Sequence, residues 1–152
     1  MTTNGAVPSR CAPSSLDADP LVLRVPTDPV EVGAARRAVH DYLHGLGVPA
    51  GVVDDLQLAV SELVTNAILH GRPGTLRLEV ELSPPRRVVV RVTNDGPAAA
   101  IPPVAAWQPV SPLEISGRGL GIVRQLVDHA DVVGDEASTT VVCHRSWGGD
   151  SP

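Results

Sequence analysis

The sequence predicts an α+β fold, a two-layer α/β sandwich in which one mixed, mostly antiparallel sheet carries helices on one face. Three observations lead there. Segments of strand and helix character follow one another in the order β-α-α-β-β-α-β-β. The longest helical segment has one apolar face, the mark of a helix laid on a core. The two central strand segments are joined by Ser83-Pro84-Pro85, a turn rather than a crossover, so they form a hairpin. A chain of 152 residues with 43% hydrophobic content is one ordinary domain able to bury its own core.

Residues 1 to 19 are rich in Ser, Pro, Ala and Asp without periodicity and read as a disordered tail. The folded domain is expected over 20–146, with 147–152 as a C-terminal tail. Leu21 to Val25 has strand character and is ended by Pro26. Asp28 as N-cap, Pro29 in the first turn and Glu31 three residues on start a helix over about 29–45, stopped by Gly45 and Gly47. The second helix, roughly 50–70, places Val53, Leu56, Val60, Leu63, Val64, Ala67 and Ile68 on one face and ends at His70-Gly71. Strands follow at 76–82 and 87–93. Residues 97–116 hold five prolines with no sustained period, a long loop of the kind that serves as a lid. A third helix over 119–128 and strands at 131–133 and 139–144 close the fold.

Composition removes several functions. The chain has no Phe and is 2% aromatic, which leaves no platform for stacking bases, and its twelve basic against seventeen acidic residues give a net charge of −5 with the arginines scattered. Nucleic acid is therefore not an expected partner. All twelve basic residues are Arg. Without Lys there is no P-loop, Schiff base or lysine general base, although a GC-rich genome produces the same usage. Cys11 and Cys143 form neither a disulfide framework nor a metal site. No run approaches the roughly 20 apolar residues of a membrane span, and no signal-peptide pattern is present. A soluble, cytoplasmic protein is expected.

The residues that can carry chemistry fall in three places. Glu62, Asn66 and His70, at i, i+4 and i+8, form a polar stripe beside the buried face of the second helix. A solvated helix face is the plainer reading of that triplet alone. Asn94-Asp95-Gly96-Pro97 ends a strand and, alone, is a turn. Gly117-Arg118-Gly119-Leu120-Gly121 precedes a helix, the arrangement in which backbone N–H groups and a helix N-terminus hold phosphate oxygens. Its GxGxG spacing, after a Pro-rich loop, is not the dinucleotide fingerprint. His40 and His44, four apart on the first helix, suit a metal, but Asp41 is their only companion and a solvated face accounts for them.

In this order and spacing, Glu62 to Ala67, Asn94 to Pro97 and Gly117 to Ile122 resemble the three nucleotide-binding boxes of the GHKL superfamily. Gyrase, MutL, heat-shock chaperones and histidine kinases share that ATP-binding fold, a Bergerat-type, histidine-kinase-like ATPase. The resemblance covers roughly residues 20–146 and narrows to the RsbW-like anti-sigma factor serine kinases. In that branch the domain stands alone behind a helix of the Asp-Pro-x-x-Val-x-x-Ala-Arg kind, as in Asp28 to Arg36 here.

The resemblance implies an ATP- and Mg²⁺-dependent serine/threonine kinase that switches partners between a sigma factor and an anti-sigma-factor antagonist, with a homodimer as a possible assembly. Glu62 would assist the attacking hydroxyl and Asn66 would hold Mg²⁺ through its side-chain oxygen. Asn94 and Thr140 would select adenine, Gly117, Gly119 and Gly121 would seat the phosphates, and Gly96 and Leu120 complete the nucleotide-binding set, with Arg118 either touching the phosphates or facing solvent. The family usually has Asp-x-Gly where this chain has Asn94-Asp95-Gly96, so Asn94 gives a neutral acceptor in place of a charged one. Asn94→Asp is accordingly expected to restore the usual acceptor. Two other readings stay open, a protein-binding module of the same fold with weak or no ATP binding, and an ATPase without a protein substrate.

Overall fold

The computed structural model describes residues 18–98, 101–107 and 118–148. Strand β1 (Leu21–Pro26) leads to Asp28, whose side chain accepts the Val30 N–H at 3.1 Å. This short-range cap favours a tight 3₁₀ turn at Pro29–Glu31, so α1 itself runs Val32–Gly45 and begins three residues later than the sequence suggests. Gly47, at φ 78°, takes the left-handed conformation that reverses the chain, and its N–H bonds to His44 O at 3.0 Å. Helix α2 (Ala50–His70) buries Val52, Val53, Leu56, Ala59, Val60, Leu63, Val64 and Ala67, as its apolar period requires.

The remaining elements are β2 (Thr75–Ser83), β3 (Arg87–Asp95), α3 (Arg118–Leu126), β4 (His129–Gly134) and β5 (Ser138–Ser146). They form one five-stranded sheet in the order β1-β2-β3-β5-β4, with all four neighbouring pairs antiparallel. The expectation of a mixed sheet is corrected to an antiparallel one, and the connections give the reason. Two helices, α1 and α2, return the chain to the end of the sheet where β1 stopped, so β2 must run back beside it. A single helix, α3, joins β3 to β4, which makes those two strands point the same way. They never pair, because β5 lies between them.

Register sorts the side chains. Leu76, Leu78 and Val80 of β2, Val88, Val90 and Val92 of β3, and Thr139, Val141 and Cys143 of β5 face the helices and are buried. The alternate positions form the opposite face, where Arg91 pairs with Glu81 at 3.0 Å and Arg77 with Glu79 at 3.4 Å. An antiparallel sheet can leave that face to water.

The core is mainly Val, Leu and Ala, with one large exception. Trp107 is 2% exposed, and its indole N–H donates to Pro102 O at 2.8 Å. The proline-rich loop thus supplies a core side chain, reached through a 3₁₀ turn at Val104–Ala106. Residues assigned to the tails also touch the body. Tyr42 donates its hydroxyl to Asp19 O at 2.8 Å, and the Trp147 N–H donates to Arg86 O at 3.1 Å. Among the described residues no helix is long and apolar enough to cross a membrane.

Candidate functional site

Strand direction brings three segments to one end of the sheet: the end of α2, the end of β3 and the start of α3. The Arg72 N–H donates to Asp95 O at 2.8 Å, which joins the first two. Helix α3 joins through Gly119. A β-carbon there would stand 2.6 Å from Glu62 Oε2, so the carboxylate occupies the space that any other residue would fill. Leu120 is 6% exposed and anchors the first turn of α3 in the core, and Gly121 is buried beside it. Gly117 and the Arg118 side chain lie outside the described residues.

Asn66 follows Glu62 by one turn of α2 and is half-buried, whereas His70, another turn on, is exposed at the helix end. The stripe seen in the sequence therefore divides: Glu62 meets α3 at Gly119, Asn66 is half-buried, and His70 faces solvent.

Around Asn94 the packing is closer. Asn94 is 7% exposed on the helix-facing side of β3, and its Nδ2 donates to Asp95 O at 2.9 Å. The α-carbon of Gly71 packs against that amide, leaving no room for a β-carbon. Gly96 has φ 134°, a conformation open to glycine, and its N–H donates to Ala137 O at 3.0 Å. Its carbonyl accepts the Thr139 hydroxyl at 2.8 Å.

Thr140 stands elsewhere. Asn94 pairs in register with Thr139, so these two share the helix-covered face. Thr140 pairs with Thr93 on the opposite face, their hydroxyls 2.8 Å apart. The period of two that makes a strand places adjacent threonines on opposite sides of the sheet, and the one beside Asn94 is Thr139.

The chemistry this end can support is anion binding next to a carboxylate. The first turn of a helix carries unpaired N–H groups and a partial positive charge, and α3 begins at Arg118 beside Glu62. Missing β-carbons at Gly71 and Gly119 let the Asn94 amide and the Glu62 carboxylate lie against the backbone. Among the described residues no group of three or more His, Cys, Asp or Glu side chains could hold a metal. The Asn66 side-chain oxygen is a hard donor of the kind a divalent ion takes.

The histidine kinase-like ATPase domain model matches residues 25–144. The chain belongs to that family. Its relatives point the same way: it is 24% identical over 135 residues to the serine-protein kinase RsbW of Listeria innocua, covering 82% of this chain and 85% of that one. It is 28% identical over 116 residues to the anti-sigma F factor of Clostridium beijerinckii, covering 71% and 80%. Among solved structures, the RsbU and RsbW domains of a Mycobacterium tuberculosis protein superpose with TM-score 0.65 at 20% identity, over 85% of this chain and 32% of that one. The SiaB-SiaC complex from Pseudomonas aeruginosa gives 0.61 at 16% identity, over 82% and 88%.

Within this histidine-kinase-like ATPase domain, the sequence alone does not single out Thr139, Gly71 or Arg124. Thr139 is concealed by its neighbour Thr140, and only strand register separates them. Gly71 reads as a helix stop, and its close approach to Asn94 is a tertiary contact. Arg124 Nη1 reaches Val104 O, Ala105 O and Trp107 O at 3.4, 3.3 and 3.0 Å, tying α3 to the proline-rich segment across a separation no local pattern spans.

Proposed function

We propose that this ATPase domain binds Mg-ATP and transfers the terminal phosphoryl group to a serine or threonine of an antagonist protein, acting as an anti-sigma regulator that exchanges partners in transcription control. The single observation that carries the reading is the seating of Glu62 against Gly119, which sets a carboxylate beside the start of a helix suited to phosphate. The RsbW and anti-sigma F names of its relatives support the protein substrate and the sigma-factor partner.

Bound Mg²⁺ would neutralise the phosphate charge and hold the γ-phosphoryl group for in-line transfer. Each protein group then has a role. Glu62 orients the incoming hydroxyl and accepts its proton, as a positioned carboxylate can. The carbonyl oxygen of Asn66 is the metal's protein ligand. The α3 N-terminus, Arg118, Gly119, Leu120 and Gly121, holds phosphate oxygens with backbone N–H groups, and Gly117, next to it in sequence, is assigned the same role from the family resemblance. Asn94 accepts from the adenine amino group, Gly96 lets the base approach, and Thr139, rather than Thr140, supports that corner from the same face. The cytoplasm is the compartment such partners require.

A second reading has one observation behind it. The acceptor at position 94 is neutral, which favours a protein-binding module with weak nucleotide affinity. Calorimetric titration with Mg-ATP separates the two. Binding, with stabilisation of about 2.7 kcal/mol at 100 times the dissociation constant, supports the kinase reading; its absence leaves the module.

A further inference from the structure

We infer that Arg124 is a positioning residue for the phosphate end of this site, holding α3 from the flank away from Glu62 so that the first turn of the helix keeps one place relative to that carboxylate. The inference rests on the proposed nucleotide site and deepens it. Buried side chains fix how deeply a helix sits on a core, but packed helices still slide and roll unless their flanks are held. In α3 the buried pair is Leu120 and Val123, 6% and 0% exposed. At about 100° per residue, Gly119 lies to one side of that pair and Arg124 to the other, about 140° apart around the helix. Gly119 meets Glu62 of α2. Arg124 is in the last turn of α3, and its Nη1 donates toward the carbonyls of Val104, Ala105 and Trp107 at 3.4, 3.3 and 3.0 Å.

Those carbonyls are a firm anchor. They belong to the 3₁₀ turn Val104–Ala106 and its cap, which Ile101 and Trp107 pin to the core with 8% and 2% exposure. The Trp107 indole N–H on Pro102 O and the Trp107 backbone N–H on Val104 O, at 2.8 and 2.9 Å, hold the turn in shape. A guanidinium set on the last carbonyls of a helical turn also meets their partial negative charge. Helix α3 is thus clamped between α2 on one flank and this turn on the other. Without Arg124 the second flank is released, and α3 can roll away from α2, carrying the N–H groups of its first turn away from Glu62. Arg124 stands six residues along α3 from Arg118, about 9 Å by helical rise, so it acts through the helix and not on the ligand. The loss therefore falls on the phosphates that the first turn binds.

The test is calorimetric titration of the wild type, Arg124→Met, Arg124→Lys and Arg145→Met with Mg-ATP and with adenosine, which lacks the phosphates. Arg145→Met is the control for lost stability alone. Arg145 joins β5 to Asp55 of α2 at 2.7 Å, and it pairs with Val88, at the end of β3 far from Asn94. Arg124→Met is expected to bind Mg-ATP about tenfold more weakly, through lost preorganisation, with adenosine affinity unchanged. Arg124→Lys keeps a cationic donor on a stem of similar length and is expected to recover most of the loss. Arg145→Met is expected to lower the urea midpoint and to keep Mg-ATP affinity within about twofold of the wild type. Wild-type Mg-ATP affinity in Arg124→Met, an equal loss for adenosine, or the same selective loss in Arg145→Met overturns the inference while leaving the nucleotide site intact. Failure of the wild type to bind Mg-ATP overturns both the inference and the nucleotide site.

Discussion

The Glu62 carboxylate and the Gly119 α-carbon are packed so closely that a β-carbon on Gly119 would stand 2.6 Å from Oε2. Helices α2 and α3 meet at this point, and the meeting sets where the carboxylate lies relative to the start of α3. Gly119→Ala is expected to push Glu62 aside and lower phosphoryl transfer by about 10²-fold, the scale of a misplacement near 1 Å. On the proposed kinase reading, Glu62→Ala is expected to cost about 10²- to 10⁴-fold, the usual range for losing a general base, while Mg-ATP still binds. Single-turnover transfer from labelled ATP, read beside calorimetric affinity, checks both. Transfer at the wild-type rate in Glu62→Ala would remove the carboxylate from the mechanism.

The two adjacent threonines should behave differently. Thr139→Val leaves Gly96 O without the buried hydroxyl that meets it at 2.8 Å. That is expected to cost about 1–3 kcal/mol of stability and to weaken ATP binding by loosening the Asn94-Asp95-Gly96 corner. Thr140→Val breaks only the contact with Thr93 on the other face, and should leave ATP affinity unchanged. Urea unfolding and ATP titration of both variants decide it; equal losses of affinity would contradict the assignment by register.

Arg124 holds the proline-rich segment to α3 through three backbone carbonyls, the shortest contact being 3.0 Å to Trp107 O. Arg124→Met keeps the apolar stem and removes the donors. A stability loss of about 1–2 kcal/mol is expected. Trp107 is 2% exposed, so its emission should shift to the red as the segment loosens. A Trp147→Phe background makes that signal specific to Trp107.

His144 predicts a pH dependence on the open face of the sheet. Burial pushes its pKa below the usual 6.5, and Arg87, His129 and Arg91 push the same way while Asp131 opposes them. Because the folded pKa is the lower one, the unfolded chain binds more protons in the window just below 6.5, and stability is lost as the pH falls through it. The urea midpoint should drop between about pH 7.5 and 5.5, and His144→Gln should flatten the dependence. A midpoint that rises on acidification would reverse the sign.

Much of this protein is set locally. The α2 apolar face and the Ser83-Pro84-Pro85 turn are written in short-range periodicity and turn chemistry, and the elements stand close to where those signals place them. The spacing of Glu62 and Asn66 puts them on one side of α2 because four residues make about one helical turn, and the roles proposed for them come from the family resemblance. Other features depend on elements far apart in sequence. The insertion of β5 between β3 and β4 makes the sheet antiparallel throughout. Register with β3 chose Thr139 over Thr140 as the neighbour of Asn94. Trp107 became a core residue because the fold left an apolar space beside α3, and no apolar period in a proline-rich loop announces that. The sequence by itself determined the elements, the boxes and their order, since helix, strand and turn preferences act within a few residues. Only the tertiary structure decided which atoms meet, because the amide of Asn94, the carbonyl of Asp95 and the bare α-carbon of Gly71 acquire their relation when α2 and β3 are brought to the same end of the sheet.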